Sequence, residues 1–173
     1  MVDHFLIWWL STGRYSWSKI RRLLFERGYL RYTLPAVSSL EDIENCLKQV
    51  KWTMDGPLHL FDSISYPQVT WAKKKDDCDS FACLAAALLN QLDNNYSPFL
   101  VTVMVRPVQA SHTVCAFSVS EETLWFFDNG SLRRVDCKTY ADVANMISKR
   151  ANRLVCWDVR NPALLDMIEF LKV

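Results

Sequence analysis

Glycine is scarce, with four residues in 173. That excludes a glycine-rich phosphate loop and any collagen-like or linker-rich organisation. No apolar run approaches the roughly 20 residues of a membrane-spanning helix. The segment Phe5-Leu6-Ile7-Trp8-Trp9-Leu10 is too short for a secretory signal core. It follows Asp3 and His4 instead of a basic stretch and leads into no small-residue cleavage site. It reads as a docked core segment, not a membrane anchor. Surplus charge is also absent: 20 basic and 19 acidic residues leave +1, so nothing global points to nucleic acid. The six cysteines, at 46, 78, 83, 115, 137 and 156, include no C-x-x-C pair and no Cys/His cluster at zinc-finger spacing. These absences predict a reduced, cytoplasmic protein with no metal and no membrane span, its cysteines mostly small buried hydrophobes.

What the chain has is apolar mass. Half of it is hydrophobic and 23% is charged, with seven Trp, nine Phe and six Tyr. That suffices for a sizeable aromatic core in one domain, or in one domain with a small helical annex. The N-terminal third reads helical: Trp17, Ile20, Leu23 and Leu24 share a face, and Gly28 fits a helix end. The other face is basic, with six Lys/Arg between Arg14 and Arg31 against one acid, Glu26. The pattern predicts that Trp17, Ile20 and Leu24 pack on the domain while Arg14, Arg21, Arg22 and Arg31 stay exposed. Such a basic 14–31 face is either simply solvated or a surface for an acidic partner such as nucleic acid, anionic lipid or an acidic protein. A second helix starts at Ser38 or Ser39, with Glu41, Asp42 and Glu44 in its first turns and Ile43, Leu47 and Val50 as its stripe. Residues 53–76 read as loop. The third helix begins near Asp77 or Cys78, repeats Phe81, Leu84, Ala85, Leu88 and Leu92 at helical spacing, and ends before Asp93. The period then falls to two, predicting strands over 99–105, 113–119 and 123–127 and a short one near Val135 after the Asp128-Asn129-Gly130 turn. A helix around 139–151, a strand around 154–159 and a terminal helix after Pro162 complete the reading. Helices first and an antiparallel meander second predict an α+β fold.

Three residues stand out as chemistry: Cys78, His112 and Asp128. A thiol at the start of the third helix faces unpaired backbone N–H groups and the positive end of the helix dipole, which favour thiolate. His112 opens a predicted central strand and Asp128 closes the next, so antiparallel neighbours can bring imidazole and carboxylate together. The imidazole then takes the thiol proton, and the carboxylate fixes its tautomer. Asp76, Asp77 and Asp79 oppose this, because nearby carboxylates raise a thiol pKa. They are compatible with a reactive thiolate if they point to solvent or cap the helix, Asp77 serving as N-cap.

Asp77-Cys78-Asp79-Ser80-Phe81-Ala82, followed by an Ala/Leu-rich helix, resembles the cysteine box of the transglutaminase-like superfamily, a branch of the papain-like fold. Ser111-His112-Thr113-Val114 resembles its histidine box and Phe126-Phe127-Asp128-Asn129 its aspartate box, in the family's order at spacings of 34 and 16 residues. The resemblance covers about residues 50–135. It implies a Cys-bearing helix packed on an antiparallel sheet that carries His and Asp. It also implies acyl transfer through thioesters without a cofactor, as in transglutaminases, proteases, amidases and deamidases. The Gly that often precedes Asp-Cys is Asp76 here. The oxyanion side chain is open between Trp71 and Trp52, beside the Cys78 backbone N–H. The implied organisation is one domain over 1–173, with a helical extension over 1–50, a catalytic core over 51–135 and C-terminal elements over 136–173.

Hydrolysis of a peptide or amide substrate is favoured over amine transfer. Two other classes fit the residues: a catalytically silent binding or assembly module that keeps the boxes as scaffold, and an accessory protein using the basic 14–31 face on nucleic acid or membrane. Cys83 and Cys115 read as core, not as ligands to a metal shared with Cys78 and His112. His4 and His59 read as surface or core-edge residues, and Lys73, Lys74 and Lys75 offset the neighbouring aspartates.

Overall fold

The computed structural model describes residues 2–54, 63–149, 151 and 153–173. The period-two stretch builds the sheet. Strands β3 (Phe99–Arg106), β4 (His112–Ser120), β5 (Thr123–Asp128) and β6 (Ser131–Cys137) form an antiparallel meander. After helix α6 (Tyr140–Ser148), β7 (Arg153–Arg160) returns beside β3, and β8 (Met167–Lys172) forms the edge. The order is β6-β5-β4-β3-β7-β8. The predicted terminal helix is therefore a strand: apolar Met167 to Leu171 has no helical stripe to bury, whereas β7 offers an open edge for its backbone groups.

Alternation along the strands gives each face its own core. Val101, Val103, Val114, Ala116, Phe126, Trp157 and Val159 meet Val143 and Ala144 of α6 on one face. Leu100, Cys115, Phe117 and Phe127 meet Leu84, Leu88 and Leu89 on the other. Those leucines belong to α5 (Cys78–Leu92), whose N-cap Asp77 accepts from the Ser80 N–H as expected. Helix α3 (Leu40–Lys48), capped by Ser39, adds Ile43 and Leu47 to the same core. Part of the stretch read as loop forms regular elements. Lys51–Trp52 (β1) pairs in parallel with Lys75–Asp76 (β2), and Pro67–Lys73 forms helix α4, with Pro67 in the first turn, where its missing N–H costs nothing. His59 falls outside the described residues.

The N-terminal third is helical but docks the other way round from the expectation. It runs as α1 (Val2–Trp8), a π-type turn (Trp9–Gly13), α2 (Arg14–Arg21), a second π-type stretch (Arg22–Glu26) and a 3-10 turn (Arg27–Arg31). Arg14 and Arg22 are 2% and 4% exposed, whereas Trp17, Ile20 and Leu24 are 41%, 50% and 65% exposed. The expected exposure of Arg14 and Arg22 is thus overturned. The reason lies in the sheet beneath. Thr113, Thr102 and Asp158 form one cross-strand row, and a polar row needs polar partners. Tyr15 Oη meets Thr102 and Asp158 at 3.2 and 3.3 Å, and Arg160 donates to Asp158 and to the Ser11 carbonyl at 2.9 and 2.6 Å. Arg22 donates to the carbonyls of Ile64, Ser65 and Ala163. Burial pushes the Tyr15 phenol far up, so it stays a neutral donor in this row. Arg21 is partly buried, bonded to Ser63 and paired with Glu26, while Arg31 is exposed as expected. The Phe5–Leu10 segment docks only in part: Ile7 and Trp9 pack on Met104, Val108 and Cys156, while Phe5 and Trp8 face outward.

Candidate active site

Three elements converge on one cavity of about 200 Å³. Cys78 reaches it from the first turn of α5, His112 from the start of β4, and Asn129 from the β5–β6 turn. Asp128, at the end of β5, stands behind His112: its Oδ1 lies 2.8 Å from the imidazole Nε2. That bond, together with Arg133 3.5 Å from Oδ2, holds the Asp128 carboxyl below the ordinary aspartate range. Imidazole and carboxylate are each partly exposed.

Each carboxylate flanking Cys78 is occupied, and none points into solvent. Asp77 is the helix cap. Asp76 accepts from the Thr70 hydroxyl at 2.8 Å, and burial pushes its carboxyl up, which favours the neutral form. Asp79 is 1% exposed and ion-paired with Arg14 of the N-terminal helix. Cys78 Sγ donates to Asp79 Oδ1 at 3.6 Å. Arg14 therefore neutralises the carboxylate bonded to the thiol across 65 positions of sequence, a role no local pattern announces.

The remaining candidates separate clearly. Trp52 lines the cavity, with Met54, Gln109, Ala110 and Ser111. Trp71 packs instead against the α3–α5 core, with the Lys74 ammonium over its ring, and is not part of the cavity lining. Two carboxamides that composition gave no reason to select, Gln109 and Asn129, join the lining. Asn129 sits at φ 49°, a left-handed position that Asn tolerates, and its Oδ1 is buried without a hydrogen-bond partner. Cys83 and Cys115 are buried in the core, and burial pushes both thiols up. Among the described residues no group of three or more His, Cys, Asp or Glu is placed to hold a metal ion, and no helix is long and apolar enough to cross a membrane. His4 is exposed on α1.

A family model described as a transglutaminase-like domain matches residues 12–155. The match begins just ahead of Arg14 and ends within β7, so it takes in α2 as well as all three boxes. No curated protein matches the chain.

Proposed function

We propose that this chain, which belongs to the transglutaminase-like family, is a cysteine hydrolase that cleaves peptide or amide bonds through a thioester at Cys78. The observation that carries the reading is the cavity that has Cys78 and His112 in one lining, with His112 Nε2 already held by Asp128. With Nε2 engaged, Nδ1 is the ring nitrogen left for the thiol. Imidazole takes the thiol proton, and the thiolate attacks the substrate carbonyl carbon. The oxyanion forms near the Cys78 N–H, in the first turn of α5 at the positive end of the helix dipole. Trp52 is the candidate indole in the lining, and Gln109 and Asn129 are carboxamides on the same lining. The C–N bond breaks, and the imidazolium returns its proton to the departing amine. Water, deprotonated by the imidazole, then attacks the thioester carbonyl. The C–S bond breaks, releasing the acid and regenerating the thiol.

The local electrostatics support this chemistry. Three acids within two residues of a nucleophilic thiol would ordinarily disfavour thiolate. Here one is a cap, one is pushed toward neutrality and one is paired with Arg14. The fold forms one catalytic unit in this reading, with the N-terminal helix part of the site. The experiment is turnover of a fluorogenic peptide and glutamine-amide library. Wild type cleaves members of it, and folded Cys78→Ala cleaves none. Full activity in that variant contradicts the mechanism, and a wild type inert to the whole library contradicts hydrolysis.

A further inference from the structure

The N-terminal helix turns its apolar side outward. Phe5, Trp8, Trp17, Ile20, Leu23, Leu24, Phe25 and Leu30 are all exposed, Leu24 by 65% and Phe25 by 70%. Its polar side is committed to the sheet and to the 63–66 segment, with Arg14, Tyr15, Ser18, Arg22 and Glu26 buried. An amphipathic helix on an isolated domain does the reverse. The outward side therefore faces an apolar medium, and its charge says which kind. Between His4 and Leu40 the only acid is Glu26, and it is buried. Lys19, Arg27 and Arg31 are exposed on the same run, Lys19 reaching Asp166. Lys73 of α4 adds a fourth cation over the Tyr29 ring, beside Tyr32 and Arg31. Outward Trp8 and Trp17 in the first half of the run and Tyr29 and Tyr32 among basic residues at its end make a composition suited to a lipid headgroup boundary.

We infer that this face is a membrane-interfacial surface by which the chain docks on anionic lipid, lying in the interface without crossing it. A second copy fits less well, because self-pairing would set Lys19, Arg27 and Arg31 against their own counterparts with no exposed acid of the run between them. A groove-bearing protein partner would need to accommodate a helical run about 45 Å long, whereas a bilayer surface takes a run of any length. The inference is independent of the catalytic reading, since none of these residues lines the cavity.

The test is co-sedimentation, with tryptophan emission, on vesicles of phosphatidylcholine mixed with phosphatidylglycerol and on pure phosphatidylcholine vesicles. Wild type and Cys78→Ala sediment equally with the anionic vesicles, salt weakens binding, and the emission shifts to the blue. Ile20→Glu/Leu24→Glu lowers affinity at least about tenfold by placing carboxylates in the apolar boundary. Arg27→Glu/Arg31→Glu removes the preference for anionic lipid. Both variants replace exposed side chains, so circular dichroism stays native. Equal binding to both vesicle types overturns the anionic assignment. A folded wild type that sediments with neither overturns the inference. So does concentration-dependent self-association that Ile20→Glu/Leu24→Glu abolishes without any vesicle binding, which assigns the face to a second copy.

Discussion

Replacing Arg14 by Met keeps most of the side-chain volume but removes the guanidinium from a place where almost no water enters. Its partner Asp79 is 1% exposed, so the carboxylate is left buried without its counter-ion. Breaking a buried pair from one side costs about 3–5 kcal/mol, because the surviving charge remains desolvated. The bonds from Arg14 to Tyr15 Oη and Thr102 Oγ1 are lost as well. For a chain of this size the expected fall in melting temperature is about 2–4 °C per kcal/mol. Arg14→Met/Asp79→Asn removes both charges and costs less than the sum of the two single changes, with a coupling of about 2 kcal/mol. Urea unfolding of the four proteins of the cycle measures this. Iodoacetamide labelling of Cys78 gives a second readout. Arg14→Met slows labelling near neutral pH, because the carboxylate 3.6 Å from the sulfur then acts on the thiol without the Arg14 charge. The double variant restores the rate. Additive single costs below about 1 kcal/mol each, with labelling unchanged, would refute the reasoning; that range belongs to solvent-screened surface pairs.

Three further outcomes follow from the same geometry. Among the six thiols Cys78 alkylates first, because it alone is partly exposed while the others are buried and pushed up, Cys156 to about 11; mass-spectrometric mapping after a brief pulse checks the order. The Asp128 carboxyl is held below its ordinary value chiefly by the His112 hydrogen bond, so it contributes stability that is present above the unfolded-state aspartate pKa of about 3.9 and is lost as pH falls through the lower folded value. Asp128→Asn therefore flattens the acid limb of a stability–pH curve while leaving residual turnover, whereas Asp128→Ala also disturbs the turn carrying Asn129. Ser39→Ala removes the acceptor for the Asp42 N–H and costs about 1 kcal/mol in thermal or urea unfolding.

The sheet and its two helices were legible because their periods are strong and their ends are marked. Asp77 and Ser39 cap α5 and α3, and alternation from Phe99 to Phe127 sorts residues between two faces. Helix α4 was obscured because Pro67 reads equally as loop punctuation and as a first-turn residue. The strand β8 was missed because Met167 to Leu171 is a short apolar run, compatible with either period until β7 offers its edge. The N-terminal helix shows the deeper limit. Its amphipathic pattern is plain, but the rule that apolar faces turn inward presupposes an apolar floor, and the floor here is Thr102, Asp158 and Arg160. In the site, the order of Cys78, His112 and Asp128 could be read from their boxes. The Arg14–Asp79 pair, the place of Gln109 and the choice of Trp52 over Trp71 in the lining arise only when distant segments meet.

In the proposed mechanism His112 sets the ionisation of Cys78. The direct measurement is the rate of Cys78 alkylation against pH in wild type and in His112→Ala, read peptide by peptide. In wild type the rate is already high well below the ordinary thiol pKa of about 8.5 and flattens across neutrality, because an imidazolium partner stabilises the thiolate. In His112→Ala the profile moves up to a single titration near that ordinary value, since the imidazolium partner is gone. Superimposable profiles in the two folded proteins would contradict the account.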